Sequence, residues 1–307
     1  GAMEPKPDVV SLSNGLLIGI AKTIKRELGI PVVSSLQGED TFMDSLPEPY
    51  LSEAWEAFRK EAASVDLFVP VSGYYGDLMR ERLGLAEGRV KVVLNGIDLS
   101  PFSPAEVVPE RPTIGYLARL HHCKGLHTLV DAFIDLRGRG RIPDVQLRVA
   151  GSKISADDEF IEAQIRKLEE AGLGDDIEFR ANIDLKEKVT FLRSLSVLSV
   201  PATYGESFGL YVVEALACGV PVVQPEHGAF PEVLEKCGGG VLCTADDAVA
   251  LADELEALLL DEGRRTELGE EGRIAVESVF SIERMAEEFE AALMGVVKPL
   301  GREESNQ

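Results

Sequence analysis

Four side chains carry most of the chemistry legible in this chain. Glu206 and Glu214 stand eight residues apart in YGESFGLYVVEALACGVPVV (204–223), and Arg119 and Lys124 share the segment ARLHHCKG (118–125). Arginine offers a planar fork for phosphate oxygens and lysine a compact point charge. The second pair therefore suits a ligand that carries phosphate. Between the glutamates, TYGESFG leads into an apolar helical stretch. The backbone N–H groups of Gly209, Leu210 and Tyr211 then become the unpaired amides of a helix start, a ready anion site. Glu206 lies in the loop, placed to accept hydrogen bonds from hydroxyls. Glu214 lies about a turn into the helix, among the apolar neighbours Val212, Val213, Ala215 and Leu216. A shielded carboxylate needs partners, and a diol such as a ribose supplies two donors. Singly, Glu214 reads as well as a surface glutamate, and Glu206 as a charge that favours the helix dipole. Flanking one anion site, the two together read as a sugar-nucleotide pocket.

These residues need elements to hold them. DVVSLS (8–13), PVVSSL (31–36), DLFVPV (66–71) and VKVVLN (90–95) have the composition of buried parallel strands, with helical stretches between them. NGIDLSPFSPAEVVPERP (95–112) breaks the rhythm with four prolines and reads as an interdomain linker. A second alternating series follows: strands at TIGYLAR (113–119), VQLRVAG (145–151), DIEFRA (176–181), VLSVPA (197–202), PVVQP (221–225) and GGVLCT (239–244). Helices lie between them, and DAVALADELEALLLD and IERMAEEFEAALMGVV close the chain. The pattern predicts an α/β protein of two Rossmann-like, doubly wound parallel-sheet domains. The expected bounds are 1–105 for a partial first domain, 106–295 for the second and 296–307 for a frayed tail. Two such domains imply a cleft, and ligands in these folds bind outside the carboxyl ends of the strands. Arg119 and Lys124 follow one strand, Gly151 ends another, and Glu206 follows a third. Gly151 would let a ligand approach the backbone.

Composition narrows the classes further. The net charge is −22, with 31 basic and 53 acidic residues, and such a surface repels nucleic-acid backbones and anionic headgroups. A local cation in a pocket stands out against that field. No run of about 18 apolar residues exists, so no membrane span is expected, and no signal peptide is visible. The four cysteines, Cys123, Cys218, Cys237 and Cys243, show no CxxC spacing. They read as reduced thiols of a cytoplasmic protein. His121, His122 and Cys123 are adjacent, cannot easily share one tetrahedral ion, and have no second cluster to complete a site. No metal and no cofactor are expected.

With these segments in view, a resemblance can be stated. GESFGLYVVEALACGVPVV, with its E-x7-E pattern, resembles the retaining glycosyltransferases of the GT-B fold, the broad group that includes glycogen and sucrose synthases and many bacterial sugar transferases. ARLHHCKGLHTLVDAF resembles that group's R-L-x-x-x-K-G segment, HGAFPEVLE (227–235) its G-x-P-E-v segment, and VVLNGID (92–98) the end of its first domain. The likeness covers residues 8 to 295 and specifies the superfamily, not the substrate. It implies metal-independent transfer from a nucleoside-diphosphate sugar, UDP- or GDP-linked, with retention. Arg119, Lys124 and Glu206 would be the catalytic group: the two cations hold the diphosphate, and Glu206 contacts the donor sugar. Glu214 would bind the ribose, Gly209, Leu210 and Tyr211 would add to the phosphate site, and the base would lie near Arg180 to Ile183.

The chain departs from that group in its first part. Four strands precede the linker where a nucleotide-type domain has about six, and nothing matches the group's glycine-rich acceptor loop. LQGED (36–40) follows a strand, but Gln37, the acceptor-side candidate, stands where many relatives have histidine. Without flanking strands, DVVSLS would expose an open apolar edge, and open edges pair with other chains. Homodimerisation is expected. A donor-binding module without turnover, or another GT-B enzyme such as a sugar-nucleotide epimerase, remain the competing readings.

Overall fold

The computed structural model describes residues 6–105 and 109–297. The chain divides into two compact units, one formed by residues up to Asn95 together with those from Glu283 onward, the other by Gly96–Ile282.

The first unit holds a parallel sheet of β1 (Val10–Leu12), β2 (Val32–Leu36) and β3 (Leu67–Pro70), in the order β1-β2-β3. Its helices are α1 (Ala21–Leu28), α2 (Glu39–Asp44), α3 (Tyr50–Ala62) and α4 (Gly73–Leu83). The expected fourth strand, VKVVLN, is extended beside β3 but forms only an isolated bridge between Phe68 and Val90. Lys91 N donates to Phe68 O and Val93 N to Pro70 O. The bond that should return between those two would come from the N–H of residue 70. That residue is proline, which has none, so the ladder cannot close. β1 is an edge strand, and among the described residues nothing pairs with its free side.

The second unit is a six-stranded parallel sheet with helices α5 to α11. In chain order its elements are β4 (Thr113–Leu117), α5 (Leu126–Arg139), β5 (Gln146–Gly151), α6 (Asp158–Glu170), β6 (Ile177–Ala181), α7 (Leu185–Leu192) and β7 (Val197–Leu198). Then follow α8 (Leu210–Ala217), β8 (Val222–Pro225), α9 (Phe230–Cys237), β9 (Gly240–Cys243), α10 (Ala248–Leu260) and α11 (Glu262–Val279). The order β6-β5-β4-β7-β8-β9 is that of the doubly wound nucleotide-binding sheet, whose order reverses between its first and fourth strands. Here those are β4 and β7. Every residue of β4 and β8 is buried, as strands covered on both faces must be.

Three elements differ from expectation. VLSVPA pairs only over Val197–Leu198. Beyond it the buried Gln224 side chain accepts from Val200 N at 3.3 Å, and Pro201 brings no donor, so the strand leaves the ladder. Helix α11 was not anticipated: its described interior face is Leu268, Gly269, Gly272 and Val276, with too few large apolar residues to show a stripe. The closing helix, α12 (Ile282–Val296), was expected in the second domain. From Glu283 it belongs to the first unit, where Met285, Phe289, Leu293 and Val296 pack on Val33, Leu67, Val69 and Val93. The boundary falls at Asn95 rather than near 105, and part of the expected linker is packed in the second unit. Ile97 bridges Ser281, and buried Phe102 accepts from Arg273 Nη1. The expected tail from 298 onward lies outside the described residues.

At the amino-terminal edge of this sheet, Asp176 accepts from Arg111 Nη2 at 2.6 Å and from Arg137 Nη1 at 2.7 Å. It joins the segment entering β4, the end of α5 and the turn before β6. Arg111, with Arg137, holds its carboxyl below the ordinary range against the opposing effect of burial. A depressed carboxyl stabilises the fold above its unfolded pKa and stops doing so as pH falls through the folded one. Asp176→Asn should lower stability at pH 7 and reduce the loss seen below about pH 4. Urea melts of both proteins across that range would check it.

Candidate active site

Of the residues singled out by sequence, six gather at the carboxyl ends of β4, β5 and β6 and the start of α8, whereas Lys124, Glu206 and Gly209 are not in the lining of that site and Gln37 lies in the first unit. A pocket of about 380 Å³ there is lined by Arg119, Gly151, Ile183, Leu210, Tyr211 and Glu214, among others.

Arg119 follows β4. Its guanidinium is half exposed and lies 3.5 Å from the buried carboxylate of Asp157, which also accepts from Ile154 N at 3.0 Å. Lys124 ends the short 3-10 turn His122–Lys124. That turn is pressed against the loop after β7: Thr203 N donates to Cys123 O at 2.9 Å. At Gly125, φ is +74°, and a Cβ would lie 1.7 Å from Pro201 O, so the K-G pair is a steric requirement. His121 Nδ1 faces Cys123 Sγ at 3.0 Å, while His122 stacks on His127 with ring centroids 4.2 Å apart. His121 and Cys123 thus face each other while His122 turns to His127. Among the described residues no three His, Cys, Asp or Glu side chains are grouped to hold a metal ion.

Glu206 is more buried than its loop position suggested, at 7% exposure. Its Oε2 accepts from Lys124 Nζ at 2.5 Å and from Tyr211 Oη at 3.0 Å, and its Oε1 from Tyr204 Oη at 3.2 Å. Lys124 also donates to Tyr204 Oη and sits 4.9 Å from the Tyr204 ring centroid. Burial and the Glu206 charge push the Tyr211 hydroxyl far above its ordinary pKa, so it stays a proton donor. The HGAFPEVLE segment fixes this loop from behind: Ala229 N donates to Glu206 O at 2.9 Å, and His227 Nε2 lies 2.7 Å from Ala202 O.

Helix α8 begins after Gly209 with no side chain capping it. The amides of Leu210 and Tyr211 therefore keep their capacity for an external acceptor, while Val212 N donates to Gly209 O at 2.9 Å. Glu214 Oε1 accepts from Lys188 Nζ at 2.5 Å. Gly151 lines the pocket, and a Cβ there would lie 1.6 Å from Ala118 O, so its small size also serves the contact between β5 and the residue after β4. Ile183 lines the pocket. Arg180 does not, and is bound to Glu178 on the same strand.

Gln37 lies in the first unit, after β2. Its Nε2 donates to Ser13 O at 3.1 Å and its backbone N–H to Glu39 Oε2 at 2.8 Å. The residue sequence reasoning missed there is Glu39, buried, accepting also from Gly15 N, Gly38 N and Tyr75 Oη. In the pocket it missed Ser152, Asn182, Asp184 and Lys188. Asp184 and Glu187 had a signal, the D-x-x-E of a reciprocal helix cap, which the structure contains.

A strand-end pocket with a cation and an uncapped helix start in a doubly wound sheet has the chemistry to accept an anion. The family model described as "Glycosyl transferases group 1" matches residues 102–275, and "Glycosyltransferase Family 4" matches residues 2–101. The chain belongs to the group 1 glycosyl transferases. It is 31% identical over 193 residues to a D-inositol 3-phosphate glycosyltransferase of Corynebacterium jeikeium, covering 59% of this chain and 46% of that protein. It is 35% identical over 173 residues to a phosphatidyl-myo-inositol mannosyltransferase of Mycobacterium leprae, covering 55% and 44%. The chain spans about half the length of the curated relatives it matches. Among solved structures, Anabaena HepE in complex with UDP superposes with a TM-score of 0.82 at 18% identity, covering 94% of this chain and 79% of that one. Sucrose-phosphate synthase from Thermosynechococcus elongatus gives 0.80 at 22%, covering 94% and 73%. These likenesses bear out the two-domain GT-B fold.

The Lys124–Glu206 pair yields a test. Removing one partner of a shielded ion pair strands the other charge at a cost of about 3 kcal/mol. Lys124→Met should lose roughly that much, and Lys124→Met with Glu206→Gln should recover part of it, read by chemical denaturation of both variants.

Proposed function

We propose that this chain transfers a sugar from a nucleoside-diphosphate sugar, UDP- or GDP-linked, to an acceptor hydroxyl with retention and without a metal ion. The observation that carries this reading is the single pocket that gathers Arg119, the uncapped start of α8 and Glu214. Cations and free amides suit a diphosphate, and a carboxylate suits the hydroxyls of a ribose. Arg119 and Lys124 neutralise the leaving diphosphate, with the amides of Leu210 and Tyr211 adding to that site. Glu206 orients the donor sugar, and Ile183 lies beside the base. As the bond from the anomeric carbon to phosphate oxygen breaks, negative charge grows on the phosphate, where preorganised cations and amides lower the barrier. The acceptor oxygen bonds to the anomeric carbon on the same face, and its proton passes to the departing phosphate.

A donor-binding module without turnover is the second reading, favoured by the three-stranded sheet of the first unit. Calorimetric titration with UDP, GDP and their sugar conjugates separates the two when followed by a transfer assay. That assay, run in chelator with the relatives' inositol phosphates among the acceptors, reads the product anomer by NMR. Glu214→Ala should weaken donor binding about 10- to 100-fold; unchanged affinity would remove the ribose role. Inversion at the anomeric carbon, or a rate abolished by chelator, would overturn the mechanism.

We further propose that the free edge of β1 pairs with that of a second copy. Light scattering should show mass rising with concentration, and a constant monomer mass would exclude it.

A further inference from the structure

Glu214 shares the pocket with a lysine. Lys188 Nζ donates to Glu214 Oε1 at 2.5 Å, the two side chains are 26% and 15% exposed, and both line the cavity. They come from different helices. Lys188 sits in the first turn of α7, where Asp184 Oδ1 accepts from Glu187 N and Glu187 Oε2 accepts from Asp184 N. That reciprocal cap fixes the helix start and with it the lysine, whose backbone N–H donates to Asp184 O at 2.8 Å. Glu214 lies in the second turn of α8. Among the described residues its Oε2 makes no hydrogen bond, and Lys188 Nζ has one acceptor for its three N–H donors. Its other neighbour is the Phe102 ring, 5.9 Å away.

We propose that Lys188 is a positioning residue that sets how strictly this pocket demands a ribose rather than a 2′-deoxyribose. The inference rests on the nucleotide-sugar reading above. A hydroxyl is donor and acceptor at once, and the pair presents both functions: a free carboxylate oxygen that accepts and two ammonium N–H groups that donate. A carboxylate whose only partners are the two ribose hydroxyls loses one of them with a 2′-deoxyribose, which leaves one oxygen unpaired at a desolvation cost. Sites built that way reject the analogue strongly. Glu214 keeps Lys188 whichever nucleotide is bound, so the missing hydroxyl strands nothing. Lys188 also offsets the carboxylate's charge in a pocket that must admit a diphosphate, within a chain of net charge −22.

The test is calorimetric titration of the wild type, Lys188→Ala and Lys188→Arg with UDP, GDP, dUDP and dGDP. The wild type should favour the ribonucleotide by no more than about 10-fold. Lys188→Ala should bind the ribonucleotide about 10-fold more weakly and widen the ribo-to-deoxy ratio by about fivefold or more, and Lys188→Arg should restore both. Lys188→Gln takes the place of the alanine variant if that fails to fold. A lysine that merely supports the fold would lower the melting temperature and leave the ratio alone, and that result overturns the proposal. So does an arginine variant that behaves like alanine. If the wild type binds none of the four, the nucleotide reading itself falls and this inference with it; binding with an unchanged ratio removes only the inference.

Discussion

A carboxylate placed at the carboxyl end of a buried parallel sheet has to be matched, and Glu206 is matched three times over. Lys124, Tyr204 and Tyr211 all bond to it, and each comes with its own scaffold. Lys124 requires the glycine turn against Pro201, Tyr211 requires the α8 start, and the Glu206 backbone requires Ala229 behind it. Three separate segments of the chain, after β4, after β7 and after β8, are therefore locked together by one residue, the first through its carboxylate and the last through its backbone carbonyl. Buried pairs of this kind contribute little net stability compared with apolar packing but are expensive to break. They serve better as registers than as glue.

The electrostatic layout follows the same logic on a larger scale. A protein of net charge −22 attracts no anion by its overall field, so a phosphate ligand must be drawn by short-range donors. In the pocket Arg119 is tethered to Asp157 and Lys188 to Glu214, and outside its lining Lys124 is tethered to Glu206. Tethering holds the cations in place before any ligand arrives, and an incoming phosphate has to compete with a resident carboxylate for each of them.

Much of this was legible in the sequence because it depends on local pattern. Runs such as TIGYL and VVQP announce buried parallel strands, and the strand-end rule then placed Arg119 and Gly151 where one pocket holds them, while Lys124 and Glu206, chosen by the same rule, pair with each other outside its lining. What escaped depends on contacts between distant positions. No local signal ties Lys188 to Glu214, and one side-chain hydrogen bond from Gln224 was enough to shorten β7. Pro70 was visible all along, yet its effect falls on a neighbouring strand rather than its own. Arg180 had the right chemistry in the right segment, but its partner Glu178 lies two residues away on the same face of the strand, as the twofold period of a strand dictates. Helix α11 carries glycines where a stripe would carry leucines, so its buried face does not read as one.

The closing helix gives the chain an order of events. The second unit is continuous in sequence, whereas the first is completed by residues from Glu283 onward. On the ribosome, Val33, Leu67 and Val69 emerge before the second unit, but the helix that covers them is made only after that whole unit. Domains generally fold as units as they are synthesised. The uninterrupted second unit can mature while the first waits with an apolar face bare, so the unit begun earlier is completed later. That interval is the period in which the nascent chain most needs protection from its neighbours.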